Sequence, residues 1–112
     1  MDKFKEIIDT YLINYDKYEK GKVPFECEYG ELIFRKDDNN TLIIFSIYII
    51  PEFRKKGICR NILQYLVDNS ASRFKYLCIE SVLSKILYEY LLRFKYKDKK
   101  FQHKNVGWFY KL

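Results

Sequence analysis

Residues 47–61 read Ile47-Tyr48-Ile49-Ile50-Pro51-Glu52-Phe53-Arg54-Lys55-Lys56-Gly57-Ile58-Cys59-Arg60-Asn61, and the reading of this stretch decides the fold. An apolar extended run breaks at Pro51, passes through a basic turn with one glycine, and enters an amphipathic helix near Ile58. A strand, a turn and a helix start in direct succession have the makings of an anion site. The first N–H groups of a helix lack intrahelical acceptors and the macrodipole is positive there, so main chain alone can hold a phosphate or pyrophosphate. Arg54, Lys55, Lys56 and Arg60 add positive charge around it.

Upstream, residues 42–50 are apolar except for Ser46 and Tyr48, so a strand over 41–50 is apolar on both faces. Such a strand must be covered on both faces, at the centre of a sheet, and the N-terminal helix and the helix after Gly57 are the expected covers. It is about half the ~20 residues needed to span a bilayer. Before it, Asp37-Asp38-Asn39-Asn40 reads as a hairpin turn, preceded by extended pieces over 25–28 and 31–36. Phe4, Ile7, Ile8, Tyr11, Leu12, Tyr15 and Tyr18 recur at helical spacing and predict a helix over 3–19 that stops at Gly21. Its aromatic stripe reads as core packing.

Downstream, the helix from 58 to about 70 carries Ile58, Ile62, Tyr65 and Leu66 on one stripe. A strand over 76–81 follows, parallel to the 41–50 strand because a helix crosses between them. A third helix presents Leu83, Leu87, Tyr90, Leu91 and Phe94, and two short extended pieces over 95–101 and 106–111 close the chain. The order helix-β-β-β-α-β-α-β-β predicts an α+β fold, a mixed central sheet flanked by helices, in a single domain over 1–112.

Composition narrows the function. At 112 residues, 48% of them hydrophobic and 19% aromatic, the chain can bury a core without disulfides or metal. Cys27, Cys59 and Cys78 are odd in number and lack CxxC spacing, which argues against a disulfide framework or zinc site and for a reducing, cytoplasmic setting. No signal peptide or membrane span is read. The net charge of +6 is uneven: residues 1–50 carry −3 and residues 51–112 carry +9. A basic half suits nucleic acid, an acidic membrane surface or a phosphorylated cofactor. The strand-turn-helix favours the cofactor.

At this point a resemblance enters. Ile49-Ile50-Pro51-Glu52-Phe53-Arg54-Lys55-Lys56-Gly57-Ile58-Cys59 resembles the acetyl-CoA signature of the GNAT superfamily of N-acetyltransferases, V-x-P-E-Y-R-G-K-G-I-G. It departs at Lys55, where the family often has glycine, and at Cys59, where glycine or alanine is usual. A second block, residues 77–91, resembles the V-x-V-E-N-V-L-N-P-R-L-x-x-F-L segment of small GNAT-like proteins, many of them phage-encoded. Ser81 and Ser84 stand where those sequences have asparagine, and Trp108-Phe109-Tyr110-Lys111-Leu112 looks like their closing aromatic strand.

The resemblance implies an acetyl-CoA-dependent N-acetyltransferase in which an amine of a protein or small molecule attacks the thioester directly, with CoA as product. The pantetheine arm would lie between two splayed parallel strands, 41–50 and 76–81, with the splay attributed to a bulge around 48–50. Ile49, Ile50, Arg54, Lys55, Lys56, Gly57, Ile58, Cys59, Arg60 and Ser84 are the implied cofactor-binding residues. Backbone N–H groups over 55–60 would take the pyrophosphate, and an N–H near Ile49 would polarise the thioester carbonyl. Glu80 is the implied base and Tyr88 the candidate acid. Each also has a plainer reading, Glu80 as a solvated or capping carboxylate and Tyr88 as a packed or surface tyrosine. His103, the one histidine, reads as a surface residue in a Lys-rich turn. Cys59 could act as a nucleophile at a helix start, but a bound pyrophosphate would occupy the same place.

Two other classes compete. A catalytically inactive GNAT-fold module binding a partner protein, a host protein in host cytoplasm if the source is viral, is permitted by Ser81, Ser84 and Cys59. Nucleic-acid binding through Tyr96, Phe101, Trp108 and Tyr110 is the third. The same aromatics are what a small core requires, so nucleic acid is not the expected partner.

Overall fold

The computed structural model describes residues 2–37, 40–80, 101–104 and 107–112. The expected third helix, with Ser84 and Tyr88, lies outside the described residues.

Helix α1 spans Asp2–Ile13 and stops earlier than the spacing of its aromatics predicts. Asn14 leaves helical geometry at φ −99°, ψ 12°, and its side-chain Nδ2 donates to the Thr10 carbonyl at 2.9 Å. A 3-10 turn over Tyr15–Lys17 follows. The break lets Tyr15 meet Phe74 edge-on at 5.0 Å while Tyr18 stacks on Tyr11 at 5.3 Å. Lys36 Nζ donates to the carbonyls of Tyr15 and Tyr18 at 2.7 and 2.8 Å, which ties the turn to the sheet. The aromatic stripe is core, as read, though carried on two pieces of chain.

Among the described residues six strands form one mixed sheet: β1 Gly21–Cys27, β2 Gly30–Lys36, β3 Thr41–Ile49, β4 Tyr76–Glu80, β5 Phe101–Lys104 and β6 Gly107–Lys111, in the order β1-β2-β3-β4-β6-β5. β3 and β4 are parallel and every other neighbouring pair is antiparallel. The parallel pair is joined by α2, Ile58–Ser70, as the crossover reading requires. β1 begins before Pro24, because at the sheet edge proline's missing N–H costs no ladder bond. His103 is in a strand rather than a turn: it pairs with Trp108, and Lys104 with Gly107, so the hairpin closes beyond it.

Both α1 and α2 pack on one face, whereas the sequence reading made them the covers of both faces of β3; the side chains they bury all alternate to the same side of the sheet. Phe4, Ile8 and Tyr11 from α1 and Ile62, Leu63 and Leu66 from α2 are buried against Leu32, Phe34, Leu42, Ile44, Leu77 and Ile79. A 12-residue helix is marginal in isolation. Burying each such side chain contributes about 1.5–3 kcal/mol, which is what holds α1 in place. Tyr11 lies flat on Phe34, with ring centroids 3.9 Å apart and planes 7° from parallel. Ile43 and Cys78, paired across β3 and β4, are buried as well and alternate onto the opposite face. β3 is therefore the two-faced central strand that its sequence predicts.

Candidate functional site

Among the described residues β3 and β4 pair from Thr41↔Tyr76 to Ile44↔Ile79, and β3 runs on to Ile49, past its last rung with β4. The parting coincides with a bulge. Ile33 pairs with Ser46 and Phe34 with Ile44, which leaves Phe45 as the extra residue. A bulge bends its strand and increases the local twist, enough to lead β3 away from a parallel neighbour. The sequence reading put the bulge at 48–50. It lies at Phe45, where Lys22 Nζ sits 4.0 Å from the centre of the extra residue's ring and gives it a partner.

At the end of β3 the Ile50 N–H donates to the Tyr29 carbonyl at 2.9 Å, and Ile49 pairs with Gly30. Backbone groups of successive residues leave a strand on alternate edges. The N–H and C=O of Ile49 therefore point away from β2, toward the side from which β4 has departed. Arg54 Nε donates to that Ile49 carbonyl at 2.8 Å, and its guanidinium carbon lies 5.4 Å from the centre of the exposed Tyr48 ring. Between them a 3-10 turn, Pro51–Phe53, is pinned by Phe53 meeting Tyr29 edge-on at 4.8 Å.

The helix start is built from two left-handed residues. Lys55 has φ 64° and Gly57, the N-cap of α2, has φ 77°. Gly57 supplies no side-chain acceptor, and the first turn of α2 contains no acidic residue. The earliest α2 amide to bond within the helix is that of Asn61, to the Gly57 carbonyl at 3.0 Å. Lys55, Lys56 and Arg60 are exposed around this end. Uncapped donors, a positive dipole and three exposed cations fit a phosphate group. Ile58 and Cys59 are half-buried behind it. Burial pushes the Cys59 thiol up, and the charge of Arg54 opposes this only in part. Cys59 is thus a packed thiol rather than a thiolate nucleophile.

Glu80 sits where the strands part, on the face opposite the two helices. Arg35 reaches it from β2: Nη2 donates to Oε1 at 2.5 Å, and Nε approaches Oε1 at 3.1 Å and Oε2 at 3.3 Å. Arg35 Nη1 also pairs with Asp37 Oδ2 at 3.5 Å. The Glu80 hydrogen bond is the largest cause of a raised Arg35 pKa. Arg35 and Tyr48 are the two residues of this region that sequence reasoning missed. Their signal is positional: Arg35, Ile43 and Cys78 form one cross-strand row, visible only when the register is known. Ser84 and Tyr88 lie outside the described residues. A groove of about 420 Å³ between α1 and β1, lined by Lys3, Glu6, Thr10, Phe25 and Glu28 among others, contains none of the residues of the turn.

The sequence profile of the acetyltransferase (GNAT) family matches residues 21–84, more than half of the chain. The chain belongs to the GNAT family of acetyltransferases. No curated protein sequence matches it. Among solved structures it is similar to a GNAT family acetyltransferase from Elizabethkingia anophelis, a structure with acetyl-CoA bound, at 19% identity and a TM-score of 0.55, over 96% of this chain and 83% of that one. It is also similar to a protein from Exiguobacterium sp. 255-15 assigned as an acetyltransferase, at 17% identity and a TM-score of 0.54, over 93% and 74%. These likenesses bear on the fold: the GNAT arrangement of a mixed sheet with helices is the one expected from the order of elements.

Proposed function

We propose that this GNAT chain transfers an acetyl group from acetyl-CoA to an amine, by direct attack of the amine on the thioester. The observation that carries the proposal is the conjunction of a parted parallel strand pair with an uncapped, carboxylate-free helix start at the mouth of the gap. A long ligand with a phosphate end suits such a cleft. Lys55, Lys56 and Arg60, with the N–H groups at the start of α2, would hold the pyrophosphate; the Ile49 N–H would hold the thioester oxygen.

Bound acetyl-CoA supplies an activated acyl carbon, and the chain's part is positioning and proton handling. Glu80 is the proposed proton acceptor. Its Oε1 takes two donors from Arg35, whereas Oε2 has the single longer contact. A carboxylate has about four lone-pair sites, so Oε2 retains capacity to receive a proton from an incoming ammonium. Tyr88 as acid and Ser84 as a cofactor contact follow from the resemblance alone. The acceptor is an amine of a protein or a small molecule, and a cytoplasmic setting fits three reduced cysteines.

Isothermal titration of folded protein with acetyl-CoA tests the proposal. Saturable binding is expected, weakened by Lys56→Glu and by Arg60→Glu; no heat at millimolar ligand would sink it.

A further inference from the structure

Arg54 stands in the basic turn where the family signature would make it one more cation around the pyrophosphate. Its geometry points elsewhere. Nε donates to the carbonyl of Ile49, five residues back, at 2.8 Å, and the guanidinium lies against Tyr48 at 5.4 Å from the ring centre. The main-chain N–H of Arg54 donates to the Pro51 carbonyl at 3.2 Å, so backbone and side chain together fold the turn back onto β3. Past the bulge, β3 is paired with β2 on one edge and, among the described residues, with no strand on the other. The Ile49 carbonyl faces that second edge, where Arg54 Nε meets it.

We propose that Arg54 is a positioning residue for the acyl end of the ligand: it fixes Ile49 so that the Ile49 N–H is aimed at the thioester carbonyl. The inference rests on the reading that acetyl-CoA binds here. N–H and C=O of one residue leave a strand on the same edge, so anchoring the carbonyl orients the amide beside it. On the other face of that peptide, the Ile50 N–H is anchored to Tyr29 at 2.9 Å. With both groups of the 49–50 peptide held, the adjoining amide cannot swing without breaking a charge-assisted hydrogen bond. Tyr48, though 49% exposed, has a task in this arrangement: its ring is the platform that keeps the guanidinium over β3.

A phosphate ligand and a positioner of Ile49 are separated by comparing acetyl-CoA with CoA, which share every phosphate and differ only in the acetyl group. Affinities for both are measured by titration calorimetry on the wild type, Arg54→Lys and Tyr48→Ala. The wild type should prefer acetyl-CoA. Arg54→Lys keeps the charge but loses the planar group that bonds and stacks at once. It should weaken acetyl-CoA about tenfold and CoA by less than about twofold, bringing the preference toward one. Tyr48→Ala should move the ratio the same way by a smaller factor. A preference unchanged in Arg54→Lys, or an equal loss for both ligands, overturns the inference and makes Arg54 a phosphate contact or a turn residue only. A wild type that binds both ligands equally removes the Ile49 contact, and the inference with it, while leaving CoA binding intact. A wild type that binds neither refutes the functional reading itself.

Discussion

Arg35 of β2 reaches over β3 to grip Glu80 at the last residue of β4, with Nη2 2.5 Å from Oε1. The pair lies just past Ile44↔Ile79, the last rung of the parallel ladder among the described residues, so a side-chain tie adds to the backbone ties at this end. Its two members are unequally buried, the side chains being 34% exposed for Arg35 and 14% for Glu80.

That inequality predicts an asymmetric response. Arg35→Met leaves a mostly buried carboxylate without its guanidinium, whereas Glu80→Gln leaves a cation that can reach water. Urea denaturation should show Arg35→Met less stable by about 1–2 kcal/mol, between the values for exposed and buried pairs, and Glu80→Gln by less. Since the folded state raises the Arg35 pKa, this contribution is present below the ordinary arginine value and lost only above it. Between pH 6 and 9 the difference attributable to Arg35 should therefore stay constant.

Gly30 governs the register that aims Ile49. Its φ is +151°, and a Cβ there would strike the carbonyl of Tyr48 on the neighbouring strand. The obstacle is backbone, so it cannot rotate away. Gly30→Ala should destabilise by about 3 kcal/mol or more, read from the urea midpoint, and should weaken acetyl-CoA binding at temperatures where the variant is still folded. A variant as stable as the wild type would mean that β2 and β3 tolerate a different spacing at this end.

How much of this was legible beforehand depended on range. β3 and α2 were readable because a two-faced apolar run and a 3.6-residue stripe are local patterns, and the parallel pairing followed from the crossover. The end of α1 was not, since Tyr15 and Tyr18 keep helical spacing although Asn14 breaks the helix. The bulge at Phe45 has no glycine or proline to announce it and exists only relative to β2. Arg35 and Glu80 are 45 residues apart, and nothing in either neighbourhood names the other. The start of α2 at Ile58 was legible because local pattern and Gly57 mark it. The tie from Arg54 to Ile49 was not, because a basic turn reads as charge until its bonds are known.

Lys55 bears the turn's backbone strain. At φ 64° a side chain other than glycine pays about 1–2 kcal/mol, and the GNAT signature commonly has glycine at this position. Lys55→Gly removes that strain but adds unfolded-chain entropy, so the net gain should be up to about 1 kcal/mol in urea denaturation. Acetyl-CoA affinity should fall, because this ammonium is one of the cations proposed to hold the pyrophosphate. Unchanged affinity would leave the phosphate to the N–H groups and to Lys56 and Arg60.

The buried thiol of Cys78 sets how the protein meets alkali. Burial first, then the charge of Glu80, pushes it up to about 12, against the lowering effect of Arg35. The folded state thus holds this proton more tightly than the unfolded chain, whose cysteine titrates near 9.0. Stability from that difference is fully present below about pH 9 and is lost between there and about 12, because the unfolded state gains by ionising first. At pH 10 the loss should be about 1.4 kcal/mol, one pKa unit's worth. Tyr11 and Cys59, both pushed up chiefly by burial, add losses of the same sign. The urea midpoint should accordingly be flat from pH 7 to 9 and fall above it. Cys78→Ala should start lower, from the cavity it leaves, and fall less steeply over pH 9–11. In the wild type at pH 8, a thiol reagent should modify the half-buried Cys27 well before Cys78. Equal slopes for wild type and Cys78→Ala would show that Cys78 ionises without penalty, and hence that this face of β4 admits water.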